Sequence, residues 1–272
     1  MTYKNVKIIL ISFGVPILFS LLLWMVALTS ISPLFLNQNE RFTYGVVGSL
    51  SALAVIFMFL KVDKKTWGNY HLKVEKRTPI RFLKGAVIGV VLCTALFLLQ
   101  AWYSGLEISL AKVDLGQFAL MSLSLIPLAF MEELAFRSYP FFKLNESYGV
   151  WTAQITMSIL FALYHYIGGW SLMASFIGPG IWSFAFGLMA LKSKGIALPT
   201  GFHFGLNLSL AAIGNKYWIP TIWTIDFAGS PTDEMLKSNE YFGVAIQLLV
   251  FIALVAFTYI YRRKTHGKTQ SN

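Results

Sequence analysis

The chain has a single cysteine, Cys93, among 272 residues, so an intrachain disulfide is excluded and no redox compartment can be read from cysteine usage. Charge is also scarce. Only 12% of residues are Asp, Glu, Lys or Arg, which is too few to coat a soluble globular domain of this length. The sequence contains no internal repeat, no low-complexity tract and neither of the short signatures G-x-S-x-G and H-E-x-x-H. It therefore offers no serine-hydrolase elbow and no zincin helix. Cys93 lies in an apolar run with no nearby base and is expected to be a small packing residue.

Apolar residues dominate: 56% are hydrophobic and mean hydropathy is +0.64. A bilayer core of about 30 Å needs about 20 apolar residues per helix. Runs near that length occur at roughly 8–30, 44–61, 82–103, 117–140, 150–168, 171–191, 195–214 and 241–261. We expect an all-α, polytopic membrane bundle of about eight transmembrane helices, forming a single membrane domain over 1–272. The first run exceeds the apolar core of about 7–15 residues typical of a signal peptide, so it is expected to remain as a span.

The net charge of +10 raises the question of nucleic acid, but its distribution answers a different one. With the N-terminus in the cytoplasm, the inward segments hold Lys4, Lys7, the basic cluster from Lys61 to Lys84, Arg137, Lys143, Lys192, Lys194, Arg262, Arg263, Lys264 and Lys268. Only Arg41, Lys112, Lys216 and Lys237 lie outward. The positive-inside rule then places both termini in the cytoplasm. The basic loops are expected to sit beside anionic headgroups, with no nucleic-acid partner. Trp218, Pro220 and Trp223 mark the longest polar connection as an interfacial one.

Against this background the ionisable residues inside apolar runs stand out. An ionised carboxylate in hydrocarbon costs about 2.5–3.5 kcal/mol on insertion scales, so Glu132 and Glu133 require protein partners. Neighbours on a helix point about 100° apart, which gives the two carboxylates different surroundings. Glu133 and Arg137, four apart, can pair on one face and fix the helix, leaving Glu132 for chemistry. The break Asn145-Glu146-Ser147-Tyr148-Gly149 predicts an antiparallel hairpin centred near Ser147, which places His165 about one turn beyond Glu132. His203 and Asn207 share a face of a later run, and Gly178-Pro179-Gly180 should break or kink the helix between.

A carboxylate near histidines can act as a general base towards water, while an Asn amide and a histidine N–H can stabilise an oxyanion. Peptide hydrolysis fits those parts. A zinc site built from Glu and two His would draw its ligands from separate helices with no spacing signature; no cofactor and no metal are expected. A proton-coupled transporter would show paired broken helices in pseudo-symmetric halves, and here only one run is interrupted.

The motifs Glu132-Glu133-Leu134-Ala135-Phe136-Arg137, Phe161-Ala162-Leu163-Tyr164-His165 and His203-Phe204-Gly205-Leu206-Asn207 read E-E-x-x-x-R, F-x-x-x-H and H-x-x-x-N. In this order they resemble the CPBP intramembrane protease family, which includes type II CAAX prenyl endopeptidases and bacteriocin-processing proteins. The resemblance covers about Leu125 to Leu210, a catalytic core of 125–210. It implies an intramembrane glutamic endopeptidase in which Glu132 activates water, His165 positions the water or the glutamate, and His203 with Asn207 forms the oxyanion site. Glu133 and Arg137 support them. The partners implied are the bilayer and a membrane-associated peptide or protein, and the location is a bacterial cytoplasmic membrane. The alternatives are a non-catalytic immunity or regulatory protein of the same fold and a zinc-dependent variant of the protease.

Overall fold

The long apolar runs of the sequence are largely helical over their described parts in the computed structural model, which describes residues 3–28, 40–70 and 72–269. The side chains of Lys4 and Lys268, and residues 29 and 30 of the first expected span, lie outside the described residues. Ten α-helices follow in chain order: α1 (Tyr3–Leu28), α2 (Glu40–Asp63), α3 (Thr78–Ser104), α4 (Leu115–Ser122), α5 (Leu125–Arg137), α6 (Tyr139–Ile167), α7 (Leu172–Ser175), α8 (Ile181–Ser193), α9 (Ala197–Ala212) and α10 (Asp233–Thr269).

Among the described residues, six helical stretches are long and apolar enough to cross a membrane: Asn5–Met25, Glu40–Asp63, Thr78–Ser104, Leu115–Ile167, Leu172–Ser193 and Asp233–Thr265. The protein is a multi-pass helical membrane bundle. The expected count of eight separate spans is met only in part, for two physical reasons. The fourth run, 117–140, is not one helix: it breaks between α4 and α5 and again at Ser138 (φ −89°, ψ −126°). Pro127 cannot donate to the carbonyl four residues back, and Pro140 forces a new helix start rather than continuing the old one. At the first break Ser124 Oγ donates to the Met121 carbonyl at 2.7 Å. The seventh run becomes α9, whose 16 residues rise about 24 Å, less than a bilayer core.

A short two-stranded ribbon also departs from the all-helical expectation. β1 (Leu106–Leu110) pairs antiparallel with β2 (Trp223–Phe227), with Ile108 opposite Ile225. Both segments, LEISL and WTIDF, alternate apolar and polar residues, the period-2 pattern of a strand with one greasy face.

Close packing sets the positions of the helices that carry the ionisable groups. α3 and α9 each carry a Gly-x-x-x-Gly, at Gly85 and Gly89 and at Gly201 and Gly205. A Cβ added at Gly201 would lie 1.9 Å from the Phe82 carbonyl oxygen, and one at Gly85 would lie 2.2 Å from that of Leu198. Only glycine permits this approach, which brings two backbones together without side chains between them. α2 backs α5 in a similar way: a Cβ at Gly45 would sit 2.7 Å from the Leu128 nitrogen. The buried residues Ile8, Ile11, Val15, Phe19 and Leu23 recur every three or four positions and turn one face of α1 into the core.

At the basic end, the Asp63 carboxylate gathers three elements. It meets Lys7 Nζ at 3.0 Å, Lys143 Nζ at 2.5 Å and the Tyr139 hydroxyl at 3.0 Å. This ties α1 and the start of α6 to the end of α2.

Candidate active site

α5 and α6 run back against each other across the non-helical Gly149 (φ 83°, ψ 171°). Phe136 meets the rings of Phe161 and Tyr164 at centroid separations of 5.0 and 5.4 Å. These pairs put the pivot near Gly149 rather than Ser147, and so bring Glu132 closer to level with His165 than the expected centre implied.

The adjacent glutamates are indeed divided by the helix. Glu133 is fully buried, while the Glu132 side chain keeps 14% of its surface exposed and lines a cavity of about 1020 Å³. His165, His203 and Asn207 line the same cavity. The structure thus gathers Glu132, His165, His203 and Asn207 around one space, with Glu133 and Arg137 behind its wall. Cys93, on α3, is half-buried at the same cavity and packs against the core.

The two histidines are held differently. His165 Nδ1 lies 2.9 Å from the Phe161 carbonyl oxygen. A carbonyl can only accept, so Nδ1 carries the proton and Nε2 is left as an acceptor. The ring is also edge-on to Phe161 at 4.5 Å and to Trp170 at 5.3 Å, which fixes its plane. His203 Nδ1 donates to Glu133 Oε1 at 3.0 Å, its ring stacks on Phe186 at 4.7 Å, and its Nε2 stands 3.7 Å from Glu132 Oε2. The two carboxylates therefore bracket one imidazole. The sequence reading grouped His203 with Asn207 and did not foresee its bond to Glu133, because that pairing joins α9 to α5 and no spacing along one helix reports it.

Arg137 is also more than a salt-bridge partner. Its Nη1 lies 3.7 Å from Glu133 Oε1, a Coulombic contact beyond normal hydrogen-bond length, and both side chains are fully buried. The guanidinium rests over the Phe161 ring at 3.9 Å and the Phe186 ring at 4.9 Å. Aromatic faces supply much of the stabilisation that hydrogen bonds would otherwise give. Phe161 and Phe186 thus each touch both a charged group and a histidine ring.

The expected break at Gly178-Pro179-Gly180 takes the form of a π-helical turn over Phe176–Gly180. Ser158 Oγ donates to the Gly180 carbonyl at 2.7 Å, satisfying part of the backbone that the turn disturbs. Gly178 and Pro179 line the cavity. Among the described residues no group of three His, Cys, Asp or Glu side chains is placed to hold a metal ion.

No curated protein matches the chain. Residues 114–209 match the family model described as Type II CAAX prenyl endopeptidase Rce1-like, and this segment, similar to the CPBP/CAAX proteases, carries all of these ionisable residues.

Proposed function

We propose that this protein is an intramembrane endopeptidase that cuts a membrane-associated peptide or protein with a water activated by Glu132, the segment 125–210 forming its catalytic core. The observation that carries this reading is the convergence of Glu132, His165, His203 and Asn207 on one cavity. In the mechanism, Glu132 takes a proton from water while the water oxygen attacks the scissile carbonyl carbon. His165 Nε2 accepts the water's other hydrogen and so orients the attack. His203, as imidazolium braced by the Glu133 carboxylate, donates Nε2–H to the developing oxyanion, and the Asn207 amide gives a second N–H. The tetrahedral species collapses with cleavage of the C–N bond, and the proton held by Glu132 passes to the leaving nitrogen.

The cavity lining includes four residues at helix ends: Arg41 at the start of α2, Gln100 near the end of α3, Lys216 beyond α9 and Asn239 near the start of α10. These helix ends lie opposite the Lys/Arg-rich ones. By the positive-inside rule, this reading puts that end of the cavity on the non-cytoplasmic face and both termini in the cytoplasm; the membrane proposed is a bacterial cytoplasmic one.

The test is proteolysis by purified protein in lipid, with a pool of lipidated and unlipidated membrane peptides read by mass spectrometry. Wild type, Glu132→Ala, His165→Ala and His203→Ala are compared with and without a chelator. Loss of cleavage in all three variants and no chelator effect is the expected result. Chelator inhibition reversed by zinc would replace it with the metal-dependent reading, and a phenotype unchanged by Glu132→Ala would point to a non-catalytic role.

A further inference from the structure

The cavity is lined by the Glu132 carboxylate and also by two cations that form no salt bridge with Asp or Glu among the described residues. Arg41 and Lys216 both line the cavity that holds Glu132. They come from separate elements, the first turn of α2 and the connection after α9, and converge on one indole. The Arg41 guanidinium lies 4.5 Å from the Trp218 ring centroid, and Lys216 Nζ lies 5.7 Å from it. Arg41 also donates to the Tyr217 hydroxyl. Neither cation forms a salt bridge with Asp or Glu among the described residues, not even Arg41 with its neighbour Glu40. The segments outside the description, 1–2, 29–39, 71 and 270–272, contain no acidic residue that could supply one.

Two like charges around one aromatic ring repel, and desolvating them adds to the cost. The Lys216 ammonium reflects this: burial, with a smaller contribution from Arg41, holds its pKa below the usual lysine value although Glu132 pulls it up. An arrangement of this kind is favourable when an anion sits between the cations, where charge-assisted hydrogen bonds are about twice as strong as neutral ones. A guanidinium suits a carboxylate in particular, because its fork matches the two oxygens.

We propose that Arg41 and Lys216, both packed against Trp218, form a subsite for a carboxylate of the peptide substrate, engaging it while the scissile bond reaches Glu132. The proposal rests on the protease reading of the cavity. A carboxylate-bearing peptide approaching Glu132 alone would be repelled, and the two cations offset that field within the cavity. The same carboxylate chemistry comes from a free C-terminus or from an Asp or Glu side chain. A lipid phosphate is disfavoured because the cations line the cavity with Glu132 rather than facing outward from the bundle.

The test measures binding and needs no turnover, so it stands apart from the cleavage assay. Full-length Glu132→Gln protein in nanodiscs is titrated with dansyl-labelled apolar hexapeptides in three forms: free C-terminal acid, C-terminal amide, and amide with one internal Glu. Energy transfer from tryptophan reports the complex. At least one carboxylate form is expected to bind about tenfold or more tightly than the plain amide. That advantage should fall below about twofold in the Arg41→Gln/Lys216→Gln background, while affinity for the amide stays the same. Which carboxylate form gains identifies its source. Equal binding of all three peptides would overturn the proposal, as would an advantage that survives the double substitution. Vesicles of phosphatidylglycerol and phosphatidylcholine serve as the second arm. A double variant that loses preference for the anionic vesicles while peptide binding is unaltered would assign the cations to lipid phosphate instead. Unfolding temperatures of each variant confirm that an altered titration is not an unfolded protein.

Discussion

Replacing Arg137 by Met separates the stability of the buried charge cluster from its chemistry. The guanidinium and the Glu133 carboxylate are both fully buried, and Glu133 then has only the His203 Nδ1–H as a polar partner. Removing one member of a buried pair typically costs about 3–5 kcal/mol because the other charge is left uncompensated. That is a large share of the roughly 5–15 kcal/mol that holds an ordinary domain together, so Arg137→Met should unfold well below wild type in a detergent melt. The structure adds a second condition. Because the guanidinium rests on the Phe161 and Phe186 faces, a methionine can fill much of the same slot with apolar contact. Neutralising Glu133 as well, in Glu133→Gln/Arg137→Met, should therefore restore most of the lost stability, since a buried pair exchanged for neutral groups of similar volume is often neutral overall. Cleavage should remain depressed about tenfold or more, because the amide accepts the His203 Nδ1–H but brings no charge to balance an imidazolium. A single variant as stable as wild type, or a double variant no more stable than the single one, would refute the assignment of Arg137 as the counter-charge of Glu133.

Other consequences are open to direct measurement. Gly201→Leu should displace α9 from α3, given the 1.9 Å separation of an added Cβ from the Phe82 carbonyl, and lower both the melting temperature and cleavage. Gly105→Ala, where a Cβ would meet nothing within 4 Å but φ is +62°, should cost only about 1 kcal/mol in a melt and leave cleavage intact. Cys93, half-buried at the cavity, should react with a water-soluble methanethiosulfonate in lipid, and a rate no faster than that of an engineered lipid-facing thiol would contradict a wetted cavity. Lys216 has a lower pKa folded than unfolded, so the native state binds fewer protons and its penalty is present below the folded value and relieved as pH rises towards the unfolded one. Lys216→Gln should therefore melt at or above wild type at pH 7, with the gain shrinking at alkaline pH.

The separation of the two glutamates was legible because helix geometry fixes neighbours about 100° apart, and the i,i+4 spacing pointed to Glu133 and Arg137, whose charged atoms lie 3.7 Å apart. What spacing could not show was the material around the pair. Phe161 and Phe186 arrive from α6 and α8, and His203 from α9, so the cluster exists only after four helices pack. The hairpin pivot was misplaced slightly because the turn-rich residues before Gly149 remain helical, and only the glycine itself adopts the positive φ that reverses the chain. The glycine pairs of α3 and α9 signal close helix contact in the sequence, but their spacing does not say which helix each one meets. The ribbon was missed because two five-residue strands distant in sequence give a weak period-2 signal amid long apolar runs.

The division of labour between adjacent carboxylates is tested most directly by the turnover number of Glu132→Gln beside that of Glu133→Gln, with wild type in the same lipid. Loss of a general base typically costs about 10²–10⁴-fold, so Glu132→Gln should lose cleavage on that scale while melting as wild type does. Glu133→Gln should melt lower, since it strands Arg137, and retain more activity. Equal turnover in Glu132→Gln and wild type, or a greater loss in Glu133→Gln, would contradict the account.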